Sequence, residues 1–306
     1  MNKKEIKYSG LKAGVLLSKS ADRGMSNPRP ERPRYATDFV IKEKVREGYR
    51  KIAKEGSGCC GSGCGCNGDV SRRIGYSEQE IGSVPKGADL GLGCGNPLAY
   101  ASLKEGETVL DLGSGAGFDC FLAARKVGPK GKVFGVDMTP EMLERARRNA
   151  LEGNYRNVEF LAGEIESLPV EDDSIDAVIS NCVINLSPDK EQVFREIYRV
   201  LKKGGRFMVS DIVLSKPLPK KLMESVGAYI GCVAGAAGRE EYLEAIKKAG
   251  FTDVKVVDES SFSLDCFADT PERKKIVEDL DMPVEELRKA AGSIVSMEVY
   301  GRKTND

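Results

Sequence analysis

Three isolated cysteines hold much of the reactive chemistry available to this sequence. Cys94 sits in Leu92-Gly93-Cys94-Gly95-Asn96-Pro97, Cys182 in Ser180-Asn181-Cys182-Val183-Ile184-Asn185-Leu186, and Cys232 in Gly231-Cys232-Val233-Ala234-Gly235-Ala236. Thiolate sulfur is a soft ligand and a nucleophile, so such residues suit soft metals, metalloids and redox exchange. A buried free cysteine is also an ordinary small hydrophobe, and that reading stands for any of the three taken alone. A fourth group, Cys59, Cys60, Cys64 and Cys66, crowds eight residues of glycine-rich chain. Its spacing, C-C-x3-C-x-C, is not a standard zinc-finger pair, although four close thiols could hold a soft metal. Cys120 falls in an apolar helical run and reads as packing.

The second chemical signal is Asp111-Leu112-Gly113-Ser114-Gly115-Ala116-Gly117. It follows the apolar run Thr108-Val109-Leu110 and opens into Phe118-Asp119-Cys120-Phe121-Leu122. That is a strand, a glycine turn and a helix start, the context in which a backbone approaches a nucleotide closely. Asp137 ends a second apolar run about two dozen residues later, where a carboxylate can accept both hydroxyls of a ribose. A pyrophosphate site places its third glycine further on. The shorter D-x-G-x-G-x-G form resembles the first motif of the S-adenosylmethionine-dependent methyltransferases, with a NAD-type dehydrogenase as the alternative. In the methyltransferase reading Asp111, Gly113, Ser114, Gly115 and Gly117 surround the methionine part of the cofactor. Asp137 takes the ribose, Met138 lies against adenine, and Glu164 or Ile165 edges the ring. Asn181 stands near the cofactor's amine or carboxylate.

Composition narrows the chemistry further. The chain of 306 residues has no histidine, which excludes histidine-metal sites, Ser-His and Cys-His nucleophile pairs, and any imidazole base. Lysine plus arginine equals aspartate plus glutamate at 47 each, so no global basic field suggests nucleic acid. No apolar run is long enough to span a bilayer, and no secretory signal is visible at the amino terminus. The expected setting is cytoplasmic, with mainly reduced cysteines.

The elements that must position these groups alternate in type. Strands are expected at 108–112, 132–137, 157–162, 175–182 and 206–213, with helices at 116–127, 140–151 and 188–203. Thr139-Pro140 reads as a capped helix start, and Gly204-Gly205 as the stop of the helix carrying Val193, Ile197, Val200 and Leu201. Repeated βα alternation implies a doubly wound, mostly parallel sheet. After an interruption at 216–237 a helix at 239–249, a strand at 252–258, a helical insert at about 271–291 and a final strand at 294–300 complete it. Residues 1–40, rich in proline and arginine, read as a tail, and 41–74 as an amphipathic helix (Ile41, Val45, Tyr49, Ile52) with the cysteine-rich loop. Residues 75–215 form the cofactor-binding core, and 216–306 a substrate segment that also completes the sheet.

From about Gly75 to Phe251 the chain resembles the arsenite S-adenosylmethionine methyltransferases. The resemblance is carried by Gly93-Cys94-Gly95-Asn96-Pro97, the stretch Asp111 to Cys120, Gly135-Val136-Asp137-Met138-Thr139, the stretch Ser180 to Lys190, and Gly231 to Ala236. It implies a Rossmann-like class I methyltransferase with inserted substrate-binding segments, using S-adenosylmethionine on trivalent arsenic bound by Cys94, Cys182 and Cys232. It also implies an earlier functional cysteine, matched by Cys59 or Cys60. Spacing does not choose between those two, and Cys64 and Cys66 are additions to the pattern. A thiol reductant of the thioredoxin or glutathione type is implied as well, since methylation oxidises arsenic and protein thiols would reduce it by closing to a disulfide. Thiolate-bound trivalent arsenic keeps a lone pair that needs no deprotonation to attack a methyl group, so a histidine-free site suffices. Two other readings are a methyltransferase for a quinone, sterol or lipid acceptor, and a non-enzymatic thiol-based metalloid binder. The three placed cysteines argue against the first, and the intact glycine turn with Asp137 against the second.

Overall fold

The apolar runs assemble into one seven-stranded sheet in the computed structural model, which describes residues 38–55, 67–223, 232–261 and 283–305. Its strands are β1 (Thr108–Leu112), β2 (Lys132–Asp137), β3 (Val158–Ala162), β4 (Ile175–Asn181), β5 (Leu201–Leu214), β6 (Thr252–Ser261) and β7 (Ile294–Arg302), in the order β3-β2-β1-β4-β5-β7-β6. The pairs among β1 to β5 are parallel, while β7 runs antiparallel between β5 and β6. The connection reverses direction between β1 and β4, so a crevice opens beyond their carboxyl ends, the usual ligand position in such sheets.

Helices cover both faces. In chain order they are α1 (Asp38–Glu55), α2 (Asn67–Arg73), α3 (Glu78–Gly82), α4 (Pro97–Tyr100), α5 (Phe118–Val127), α6 (Pro140–Glu152), α7 (Lys190–Val200), α8 (Lys220–Met223), α9 (Arg239–Lys248) and α10 (Val284–Ala291). On one face Phe121, Leu143 and Ala146 of α5 and α6 pack with Val109, Val133 and Phe160. On the other, Val193, Phe194 and Ile197 of α7 join Tyr242 and Ile246 of α9 against Phe207 and Val209. Apolar side chains on both sides of the parallel strands β1, β2, β4 and β5 are buried, whereas the antiparallel edge strand β6 is largely exposed. Among the described residues, no helix is long and apolar enough to cross a membrane.

Several boundaries differ from the sequence reading. The helix expected to run to residue 203 stops at Val200, because Leu201 turns extended (φ −68°, ψ 134°) and pairs with Ile175. Gly204-Gly205 therefore lies inside β5 and ends no helix; burying Leu201 completely in the core sets the boundary instead. At its start, Asp189 caps α7 by accepting the Gln192 N–H at 3.0 Å. Thr139 occupies the N-cap of α6 but makes no side-chain cap bond; its own N–H donates to Asp137. The first expected helix starts earlier, at Asp38, and the helix after the glycine turn starts at Phe118 because Gly117 is left-handed (φ 95°). The loop with Cys59, Cys60, Cys64 and Cys66, the tail to residue 37, and most of the expected insert at 271–291 lie outside the described residues.

Candidate active site

The glycine turn sits at the carboxyl end of β1, and its conformation demands its residues. Gly113 is left-handed (φ 65°), and a Cβ there would lie 2.4 Å from Val183 Cγ2. Asp137, at the end of β2, accepts the Gly115 N–H at 3.0 Å through one oxygen and the Thr139 N–H at 2.7 Å through the other. The carboxylate expected to receive a ribose thus also ties the turn to β2. Met138, Ile165, Gly163 and Glu166 line the same cleft. Glu164 does not. It turns to α1, pairing with Lys42 at 2.7 Å and Arg46 at 3.6 Å, so of the two candidates Ile165 is the one at the cleft wall.

One wall was not foreseen. The periodicity of α1 identified a helix, but not that Lys42, Val45 and Tyr49 would close the cleft. Lys42 also reaches Glu166 at 3.1 Å, and Glu166 accepts the Ser187 hydroxyl at 2.6 Å, which links α1 to the segment after Cys182.

Three buried carboxyls, Asp111, Asp119 and Asp137, line the cleft. Asp119 accepts the Tyr76 hydroxyl at 2.5 Å and Asp111 accepts the Cys120 thiol at 3.2 Å. Burial pushes Asp119 up to about 6, Asp111 well above the usual carboxylate range, and Asp137 upward. Among the described residues no lysine or arginine makes an ion pair with any of the three, and the buried Ser114 hydroxyl has no partner. Three desolvated carboxyls without a cation fit a ligand that brings its own positive charge together with hydroxyls. Cys120, read as packing, is fully buried but adds that bond to Asp111.

Asn181 acts as a bracket. Its carbonyl accepts the Cys94 N–H at 2.9 Å, while its amide donates to the Gly95 carbonyl at 2.8 Å, to the Tyr76 hydroxyl at 3.1 Å and to Asp119 at 3.3 Å. The side chain expected beside the cofactor thus lines the cleft with its amide already engaged, joining the Cys94 loop to the cofactor side.

The thiols converge next to it. Cys94 Sγ, Cys182 Sγ and a carboxylate oxygen of Asp211 all lie within 4.8 Å of one another, and all three residues are buried. The Cys232 thiol donates to the Cys182 carbonyl at 2.9 Å. Both Cys182 (φ 61°) and Cys232 (φ 64°) adopt the left-handed backbone, which costs a non-glycine residue roughly 1–2 kcal/mol. Such strain persists only where surrounding contacts impose it; the Cys182 N–H donating to the Ser210 carbonyl at 2.8 Å is one of them. The neighbouring thiols of Cys232 and Cys94, with burial, push Cys182 well up, and burial raises Cys94. Burial likewise moves Asp211 to about 7, while Tyr242 donates its hydroxyl to it at 3.0 Å. The Cys94 loop is held from β7, where Ser296 donates to the Cys94 carbonyl at 2.7 Å and Glu298 accepts the Asn96 N–H at 3.0 Å. Cys182 also lines the cofactor cleft, so the thiol cluster opens into it.

The structure brings Cys94, Cys182 and Cys232, the three cysteines that the resemblance singled out, into one buried cluster; the places of Tyr76, Asp119, Asp211, Ser296 and Glu298 around it had no signal in the sequence.

Comparison with known proteins agrees with this geometry. A methyltransferase-domain family model matches residues 103–250. The arsenite methyltransferase of Halobacterium salinarum is 45% identical over 277 residues, covering 78% of this chain and 71% of that protein. The arsenite methyltransferase of Aquipseudomonas alcaligenes is 38% identical over 230 residues, covering 72% of this chain and 65% of that protein. The crystal structure of an arsenic(III) S-adenosylmethionine methyltransferase from Chlamydomonas reinhardtii superposes with a TM-score of 0.57 at 35% identity, covering 77% of this chain and 73% of that one. At this identity and coverage, with the thiol cluster opening into the nucleotide cleft, the chain belongs to the arsenite methyltransferase family.

Proposed function

We propose that this protein methylates trivalent arsenic from S-adenosylmethionine, with Cys94, Cys182 and Cys232 as ligands of the substrate. The observation that carries the reading is the approach of the Cys94 and Cys182 sulfurs within 4.8 Å, with Cys182 on the wall of the nucleotide cleft. The buried acids would favour the cofactor's cationic groups, Asp137 would take its ribose hydroxyls, and Met138 and Ile165, on the same cleft wall, would flank its adenine. Bound there, the cofactor supplies a methyl group on a sulfonium, an electrophile that needs no activation.

The cysteines hold arsenic through sulfur and leave its lone pair as the nucleophile. With the cofactor bound, that lone pair would form the arsenic–carbon bond as the carbon–sulfonium bond breaks, and the bond's electron pair would stay on the departing sulfur. No proton leaves the nucleophile, so no histidine is required. The enzyme's part is to position the reactants and exclude water. Arsenic goes from the trivalent to the pentavalent state. Two protein thiolates return it by giving up two electrons and closing to a disulfide, which a thiol reductant of the thioredoxin or glutathione type reopens. The proposed dependence on reduced thiols favours a cytoplasmic setting. Incubation with S-adenosylmethionine, arsenite and a dithiol, followed by separation of arsenic species, should yield methylated arsenic. Its absence in a preparation that binds the cofactor would overturn the reading.

A further inference from the structure

We propose that Cys94, Cys182 and Asp211 also form a binding site for a divalent cation of the zinc class, which competes with the trivalent substrate for two of its thiols. The donor set is the first reason. Two sulfurs and one carboxylate oxygen match zinc, which accepts both ligand types and needs only three protein ligands when a fourth position is left to water. Tetrahedral zinc holds its ligand atoms about 3.5 to 3.8 Å apart. The three atoms here already lie within 4.8 Å of one another, at most about 1 Å beyond that spacing. Charge is the second reason: a bound dication displaces the protons that the two buried thiols hold, while Lys190 is the cation already acting on Asp211.

The carboxylate is also oriented as metal ligands usually are. Tyr242 donates its hydroxyl to one oxygen at 3.0 Å and the Ile212 N–H donates to the other at 3.2 Å. An entry route exists, because Cys182 lines the open cleft. The proposed metal set differs from the arsenic set by one member, with Asp211 in place of Cys232, whose thiol is directed at the Cys182 carbonyl. Only the competition, not the metal site itself, rests on reading Cys94 and Cys182 as arsenic ligands.

Cobalt(II) is a spectroscopic stand-in for zinc. The test uses the full-length reduced protein with Cys59, Cys60, Cys64 and Cys66 replaced by serine, to silence the other thiols. One equivalent of cobalt should give thiolate charge-transfer and tetrahedral ligand-field bands that zinc removes. Cys182→Ser should abolish them, Asp211→Asn should weaken binding at least tenfold, and Cys232→Ser should leave binding unchanged. If Asp211→Asn does not fold, as judged by circular dichroism, Tyr242→Phe must weaken cobalt binding several-fold. No thiolate band, equal affinity in Asp211→Asn, or loss in Cys232→Ser would each overturn the site. Cobalt bound but not displaced by arsenite would keep the metal site and remove the competition.

Discussion

Asp137 spends both carboxylate oxygens on the backbone, one on Gly115 and one on Thr139, and a ribose held there as proposed would share them. Asp137→Ala should therefore lower cofactor affinity at least tenfold in calorimetry, since each hydrogen bond to a charged group contributes about 1.5–3 kcal/mol. It should also lower the unfolding midpoint, because the turn loses its anchor. Cys182→Ser separates chemistry from binding. Serine keeps the shape but offers a hard oxygen, so arsenite turnover should vanish while cofactor affinity stays within a few-fold. Full turnover by this variant would return Cys182 to the role of a packing residue. At this scale the sequence was readable wherever meaning was local: the spacing of Gly113 to Gly117 and Asp137 identifies them without a fold. Asp119 and Glu298 were silent, because an acid in a helix's first turn or in an edge-facing strand looks solvated until tertiary neighbours bury it.

At the scale of elements, α1 behaves as a wall fastened by charge. Lys42 bridges Glu164 and Glu166 while lining the cleft, with its side chain only 19% exposed. Lys42→Met should weaken cofactor binding about three- to tenfold and reduce the salt dependence of affinity; equal titration curves for both proteins would detach α1 from the cleft. The β5–β7 pair is fitted as closely. A Cβ on Gly301 would lie 2.3 Å from Phe207 Cε1, so Gly301→Ala should destabilise the fold by about 1–3 kcal/mol in urea titrations. The alternation of strands and helices was legible because it is a repeating local pattern. The end of α7 was not, since Gly204-Gly205 is a plausible stop and only pairing of Leu201 with Ile175 overrides it. Nor could periodicity reveal that the face of α1 covers a ligand cleft, because any amphipathic helix shows the same stripe.

Across the whole molecule, the buried acids make cofactor binding depend on pH. Asp119 titrates near 6 in the folded chain against an ordinary value of 3.8. The stability gained by keeping it protonated is fully present below about 4 and is lost as pH rises through about 6. A cationic cofactor favours the ionised carboxylate, so its affinity should fall by up to about tenfold per pH unit as pH drops below 6. Calorimetry between pH 5 and 8 checks this, and a flat profile would separate Asp119 from the cofactor's charge. The long reach of β7 has a consequence of another kind. Ser296 and Glu298 hold the Cys94 loop, yet each is made 202 residues after its partner in that loop, Cys94 and Asn96 respectively. Chains emerge from the ribosome amino end first. The glycine turn, Asp137 and the parallel strands are all available to a nascent chain before the thiols can be set in register. Synthesis thus completes the cofactor turn and the parallel strands before the residues that grip the Cys94 loop exist, and a chain interrupted before β7 carries the cysteines without the grip that aligns them.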